Sequence, residues 1–217
     1  VVASERPAIQ TAFNLSSSEV MELPPGHALT ISVNGDIALK ECLPAVPHKR
    51  CVFERIYFSR GNDADIHRER LALGRALVPA VMKAIDDDFD NTVFSYIPNT
   101  AQISFHGLLD GLDSLRGSHR VRFSQIAVKD AKFRTFITDA SHRRDLFPHV
   151  YDVTYGVIHP GADTLVVLDD SIVRGNTMRN AILPILDRLG PKKIVVASAA
   201  PPICYPDCYG IDMSSFG

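Results

Sequence analysis

The residues best suited to chemistry lie in "LVVLDDSIVRGNT", Leu165 to Thr177. Four apolar residues run into two adjacent carboxylates, Asp169 and Asp170. Then follows a small polar loop of Ser171, Ile172, Val173, Arg174, Gly175, Asn176 and Thr177. A glycine-containing loop that opens a helix can aim backbone N–H groups at an anion. The paired carboxylates beside it can accept hydrogen bonds from hydroxyls and help hold Mg²⁺, directly or through water. Together they suit a ligand with hydroxyls at one end and a phosphate at the other, such as a ribose 5-phosphate. The plainer alternative is that the two aspartates cap the next helix and Gly175 only makes a turn.

The elements around this stretch are those an open parallel sheet needs. "TLVVLDD" is a near-continuous apolar run, as in a strand buried on both faces. The helix after it carries Met178, Ile182, Ile185 and Leu189 on one face, stops at Gly190-Pro191 and should kink at Pro184. "KIVVASAA" (Lys193 to Ala200) is the next buried strand, "TVFSYI" (Thr92 to Ile97) an earlier one, and "SQIAVKD" a shorter candidate. Strand, helix, strand in this order predicts an α/β fold with right-handed crossovers. Its ligands bind outside the carboxyl ends of the strands, where Asp169 and Asp170 fall. Asn62 to Asp65 predict the cap of a helix from about Ile66 to Ile85. Residues 1 to about 50 read as strand-like pieces broken by turns. Among them is a hairpin around Asn34-Gly35, and a proline-rich linker "CLPAVPHKR" closes the segment.

Composition narrows the class. Among 217 residues, Lys and Arg number 23 against 25 Asp and Glu, giving a net charge of -2 that argues against a nucleic-acid partner. No apolar run reaches the ~18 residues of a membrane span, and no signal peptide opens the chain. The expectation is a soluble, cytoplasmic protein without a membrane partner. The start at "VVASERPAI" and the end at "GIDMSSFG" read as those of a piece of a longer protein, incomplete at its C-terminus.

The thirteen-residue string matches the phosphoribosyl-pyrophosphate (PRPP) signature of the type I phosphoribosyltransferases. "CVFERIYFSRG", "YIPNTA", "RTFI", "LDDSIVRGNT" and "ASAAPPICYPDCYGIDM" occur in the order seen in glutamine PRPP amidotransferases, the amidophosphoribosyltransferases. Upstream, "VVASERPAI" and "PPGHALTISVNG" resemble the last strands of that family's N-terminal-nucleophile glutaminase domain. The resemblance implies a glutaminase-like tail and linker over residues 1–50 and a type I phosphoribosyltransferase domain over 51–217. It implies formation of 5-phosphoribosylamine from PRPP and glutamine-derived ammonia, the first committed step of purine synthesis. Purine nucleotides are candidate inhibitors, and a homo-oligomer is expected.

Carried over residue by residue, Asp169 and Asp170 hold the ribose hydroxyls and Mg²⁺, and Ser171 to Thr177 hold the 5-phosphate. Thr100 contacts the metal site, and Arg134 belongs to a loop that closes over PRPP. Some members carry an iron–sulfur cluster. Cys51 matches its first cysteine ligand, and Cys208 stands one residue from where a second is expected. Three departures stand out. None of the four cysteines opens the chain, so glutamine-dependent activity is not expected of these residues alone. Where the family has a basic Lys-Leu-Asn segment, "HVYDVTYGVIHPG" (His149 to Gly161) has neither Lys nor Arg, with Arg143 or Arg144 as substitutes. "VKDAKFRTFI" is one residue tighter than the usual loop. The eight histidines give no metal-like pair, with His67, His106, His119, His142, His149 and His159 scattered along the chain, and "DDDFD" (Asp86 to Asp90) reads as a solvated turn. Two rivals remain: a transferase using another nucleophile, and a non-catalytic PRPP- or nucleotide-sensing module.

Overall fold

The computed structural model describes residues 1–47, 51–52, 54–129, 151–202 and 205. Arg134, Arg143, Arg144, Cys204 and Cys208 lie outside the described residues.

Four parallel strands form the central sheet. In chain order they are β3 (Thr92–Tyr96), β4 (Arg122–Phe123), β7 (Thr164–Asp169) and β8 (Lys193–Ser198). Across the sheet the order is β4-β3-β7-β8. Two helices, α2 (Ala64–Ala76) and α3 (Val78–Ala84), precede β3, and α4 (Gln102–Asp113) crosses from β3 to β4. A π-helical turn, Met178–Ile182, and α5 (Leu183–Asp187) cross from β7 to β8. A small antiparallel pair, β5 (Ala127–Lys129) with β6 (Tyr151–Val153), lies to one side. The N-terminal segment holds α1 (Arg6–Phe13) and the hairpin β1 (His27–Ile31) and β2 (Ile37–Glu41).

β7 shows why a both-faces-buried strand reads as a continuous apolar run. Leu165 and Val167 face one core, with Val93, Met178, Ile182, Ile185 and Leu186. Val166 and Leu168 face the other, with Phe94, Val81, Phe105, Leu108 and Leu112. All four β7 residues are fully buried. Successive side chains of a strand point to opposite faces, so a strand between two helical layers needs apolar residues at every position.

Two expectations need correction. The single helix over Ile66 to Ile85 is two helices, broken at Leu77. Pro79 has no N–H to continue the ladder and sits at the first turn of α3, where that costs nothing. The opening residues are helical rather than strand-like: Pro7 stands at the start of α1, and Asn14 ends it in the left-handed conformation. The cap at Asp63 is as expected, with its carboxylate accepting from the Asp65 and Ile66 amides. The hairpin turns at Gly35, whose φ is +86°. Pro184 acts through the turn before it: the Leu183 amide reaches back five residues to the Met178 carbonyl, widening the helix where proline lacks a donor.

Candidate functional site

The topology dictates where a ligand can sit. From β3 the chain passes through α4 to β4 on one side, while β7 lies on the other. The carboxyl ends of β3 and β7 therefore diverge at a switch point, leaving a crevice between their two following loops. These loops are Pro98 to Ala101, which includes Thr100, and Asp170 to Gly175.

The backbone of the acidic pair is fixed from both neighbours. The Ile97 amide donates to the Leu168 carbonyl at 2.9 Å, and the Ala199 and Ala200 amides donate to the Asp169 and Asp170 carbonyls at 2.9 Å each. Asp169 is the last residue of β7, and Asp170 follows it. The Asp170 amide donates to Asp169 Oδ1 at 2.9 Å, and Ser171 Oγ donates to Asp170 Oδ1 at 3.0 Å. Burial, together with the adjacent Asp170 charge, pushes the Asp169 carboxyl up to about 6. A cation or a set of hydroxyl donors would relieve this crowding of negative charge.

The loop then turns through Gly175, at φ +68°, a left-handed conformation that glycine adopts without Cβ strain. Ile172, Arg174, Asn176 and Thr177 are exposed and Val173 is half-buried, so the loop faces outward. Helical structure begins at Asn176, and the Arg179 amide bonds the Gly175 carbonyl at 2.8 Å. Thr100 is half-buried in the opposite loop, just ahead of α4. The loop that carries Thr100 and the loop of Asp170 to Gly175 thus leave the sheet from the adjacent carboxyl ends of β3 and β7. Cys51 is half-buried, just before a π-helical turn at Glu54–Phe58. The other described cysteine, Cys42, is exposed. Asp86 to Asp90 lie between α3 and β3, at the opposite end of the sheet from the crevice.

Two residues near the acidic pair escaped sequence reasoning. Arg70 is buried on α2 between Ile66 and Gly74, and its charge interacts with Asp170. Its signal was an arginine four residues from each of those small or apolar positions, on the buried stripe of the helix. Burial raises the Tyr151 phenol, and so do the charges of Asp169 and Asp170. Tyr151 lies in the segment without basic residues and gave no signal.

No family model matches the chain. The amidophosphoribosyltransferase of Pseudomonas aeruginosa is 29% identical across 99% of this chain and 41% of its own length. That of Escherichia coli is 30% identical across 99% of this chain and 41% of its own length. The Saccharomyces cerevisiae amidophosphoribosyltransferase is 31% identical across 89% of this chain and 38% of its own length. The chain is homologous to part of an amidophosphoribosyltransferase. A solved structure described as the allosteric regulatory enzyme of purine biosynthesis superposes with a TM-score of 0.66 at 27% identity, over 91% of this chain and 40% of that one. The parallel sheet and its helices are therefore the type I phosphoribosyltransferase fold of the amidophosphoribosyltransferases. The chain spans about two fifths of the length of these curated relatives.

Proposed function

We propose that this chain carries the phosphoribosyl-transfer site of an amidophosphoribosyltransferase. Ammonia displaces pyrophosphate from C1 of PRPP there to give 5-phosphoribosylamine, in purine synthesis. The observation that carries the reading is the acidic pair at the switch point running directly into the Gly175 loop. In this reading Asp169 and Asp170 accept hydrogen bonds from the ribose hydroxyls, which orients C1 in the crevice. Ser171 to Thr177 hold the 5-phosphate through the loop and the helix start. Arg134 helps a closing loop exclude water that would compete with ammonia.

The donor set suits Mg²⁺, a hard cation that binds one or two carboxylates plus substrate oxygens. Asp169, Asp170 and the Thr100 hydroxyl are oxygen donors. Among the described residues no group of three or more His, Cys, Asp or Glu is placed to hold a metal ion. Bound Mg²⁺ supplies charge neutralisation for the departing pyrophosphate. Cys51 is the described position that the family resemblance matches to an iron–sulfur ligand. The proposed division into a glutaminase-like tail (1–50) and a transferase domain (51–217) is supported by the hairpin of β1 and β2, which forms its own two-stranded sheet. Cytoplasmic location and homo-oligomerisation belong to the same reading; among the described residues no helix is long and apolar enough to cross a membrane.

Calorimetric titration of PRPP with Mg²⁺ tests the site. Wild-type binding that disappears in Asp169→Asn/Asp170→Asn supports it, and no binding by the folded wild-type protein overturns it. A PRPP- or nucleotide-sensing module without turnover is the second reading, favoured by the lack of Lys or Arg between His149 and Gly161. Pyrophosphate release with ammonium as donor separates the two.

A further inference from the structure

Two stretches 55 residues apart meet through a crossed set of charged contacts. Glu5 and Arg6 stand at the start of α1, and Asp63 and Asp65 at the start of α2, with Arg60 in the turn ahead of it. The Arg6 guanidinium forks onto Asp63, with Nε donating to Oδ2 at 2.9 Å and Nη2 to Oδ1 at 2.8 Å. Nη2 also donates to Asp65 Oδ2 at 2.7 Å. In the other direction, Glu5 Oε2 accepts from the Arg60 amide at 2.7 Å, and Oε1 stands 3.4 Å from Arg60 Nε. The second Asp65 oxygen takes Arg68 of its own helix.

Packing alone does little to hold α1. It has eight residues, buries only Pro7 and leaves Phe13 exposed. A helix this short is not stable by itself, so most of its anchorage falls to the charged contacts. Their signs are specific: an acid then a base at 5 and 6 face a base at 60 and acids at 63 and 65. A shifted register would set Glu5 against Asp63. Glu5 holds the N-cap position of α1 yet makes no side-chain bond to that helix. Asp63 caps α2 and takes the Arg6 fork at once, with its side chain only 11% exposed. A bidentate arginine on a carboxylate so shielded is stronger than an exposed surface pair. We infer that residues 5–6 and 60–65 form an ionic clasp that closes as one unit and joins the N-terminal segment to the transferase domain. The names of the two bodies rest on the division proposed above, but the clasp uses no part of the PRPP site.

The Arg60 amide is a built-in reporter, because its acceptor belongs to the other stretch. The test is amide hydrogen exchange on the full-length protein, comparing wild type with Arg6→Met and Asp65→Asn. Asp65→Asn removes one charge of the clasp and leaves the Asp63 cap of α2 in place. If the clasp closes as a unit, Arg6→Met should quicken exchange at the Arg60 amide about tenfold or more, although Glu5 and Arg60 are both untouched. Asp65→Asn should quicken it severalfold, and the β7 amides should not change in either variant. An Arg60 amide that exchanges freely in wild type overturns the inference, as does one unaffected by Arg6→Met. Equal quickening at Arg60 and in β7 also overturns it, since the contact would then open only with the whole fold. Where Arg6→Met does not fold, Asp65→Asn decides by the same comparison. A protein that fails to bind PRPP overturns the functional reading and leaves the clasp standing.

Discussion

The Ile97 amide donates to the Leu168 carbonyl at 2.9 Å, one residue beyond the end of β3 and one residue before Asp169. This single bond sets the start of the Thr100 loop against the start of the acidic loop, so the two sides of the crevice share one reference point. Thr100→Val keeps shape but removes a half-buried hydroxyl. It should weaken Mg²⁺-dependent PRPP binding by about threefold to tenfold, equivalent to the loss of one hydrogen bond of ~1 kcal/mol, with the melting temperature unchanged. Calorimetry and a thermal melt on the same preparation check this.

Asp169 gives a pH-dependent prediction with a definite sign. Its folded value, about 6, lies above the ordinary 3.8, so the group favours folding when protonated. That contribution is complete below about pH 3.8 and is lost as the pH rises through about 6. Asp169→Asn should therefore be more stable than wild type by about 2 kcal/mol at pH 7.5, with the gap closing toward pH 4. It should lose PRPP binding in exchange. Denaturant melts at the two pH values would show whether the difference contracts on acidification.

The crossing of α2 and α4 depends on two glycines. A Cβ on Gly74 would stand 1.7 Å from the Ser104 carbonyl oxygen, and one on Gly107 2.0 Å from the Leu71 carbonyl oxygen. Backbone meets backbone here, and no side chain can rotate away. Gly74→Ala or Gly107→Ala should each cost about 3 kcal/mol or more by forcing the helices apart. A lowered denaturation midpoint, or insolubility, is expected. Gly35→Ala, where nothing lies within 4 Å, should show only the strain of its left-handed turn.

The far end of the sheet has its own anchor. Asp163 is 1% exposed and accepts from Arg122 Nη1 and Nη2 at 2.7 Å each and from the His159 amide at 2.7 Å. Burial alone would raise its carboxyl, but the bonds from Arg122 and His159 outweigh this and hold it below the usual range. Its stabilisation is present above the ordinary carboxylate pKa and is lost as pH falls through the lower folded value. Asp163→Asn should destabilise by about 3 kcal/mol at pH 7 and leave PRPP affinity in the folded protein unchanged, since Asp163 precedes β7 and the crevice follows it. Chemical denaturation and PRPP titration give the two halves of that answer.

Much of the fold was legible because β7 and β8 carry their burial in uninterrupted apolar runs, and because turn chemistry at Asn34-Gly35 admits few alternatives. The acidic loop was legible for a related reason: its residue types follow from chemistry at a strand end. The break at Pro79 was missed because Leu71, Val78, Val81, Met82 and Ile85 keep a helical rhythm across it. α1 was missed because eight residues give little periodicity to read. The electrostatic coupling of Arg70 and Tyr151 to the acidic pair arises only in the folded chain. The two residues stand on different elements, α2 and β6, and no local pattern encodes that.

β7 also sets a division of timescales. Hydrogen-bonded on both edges and buried on both faces, it belongs to the part of the molecule that opens only with global unfolding. Its last residue is Asp169, yet within a few positions the chain has become an exposed loop around Gly175. Amide exchange should quicken from the strand to the loop by orders of magnitude across less than ten residues. A ligand arriving there meets an immobile floor joined to a yielding rim, so capture can reshape the rim without disturbing the carboxylates that orient it.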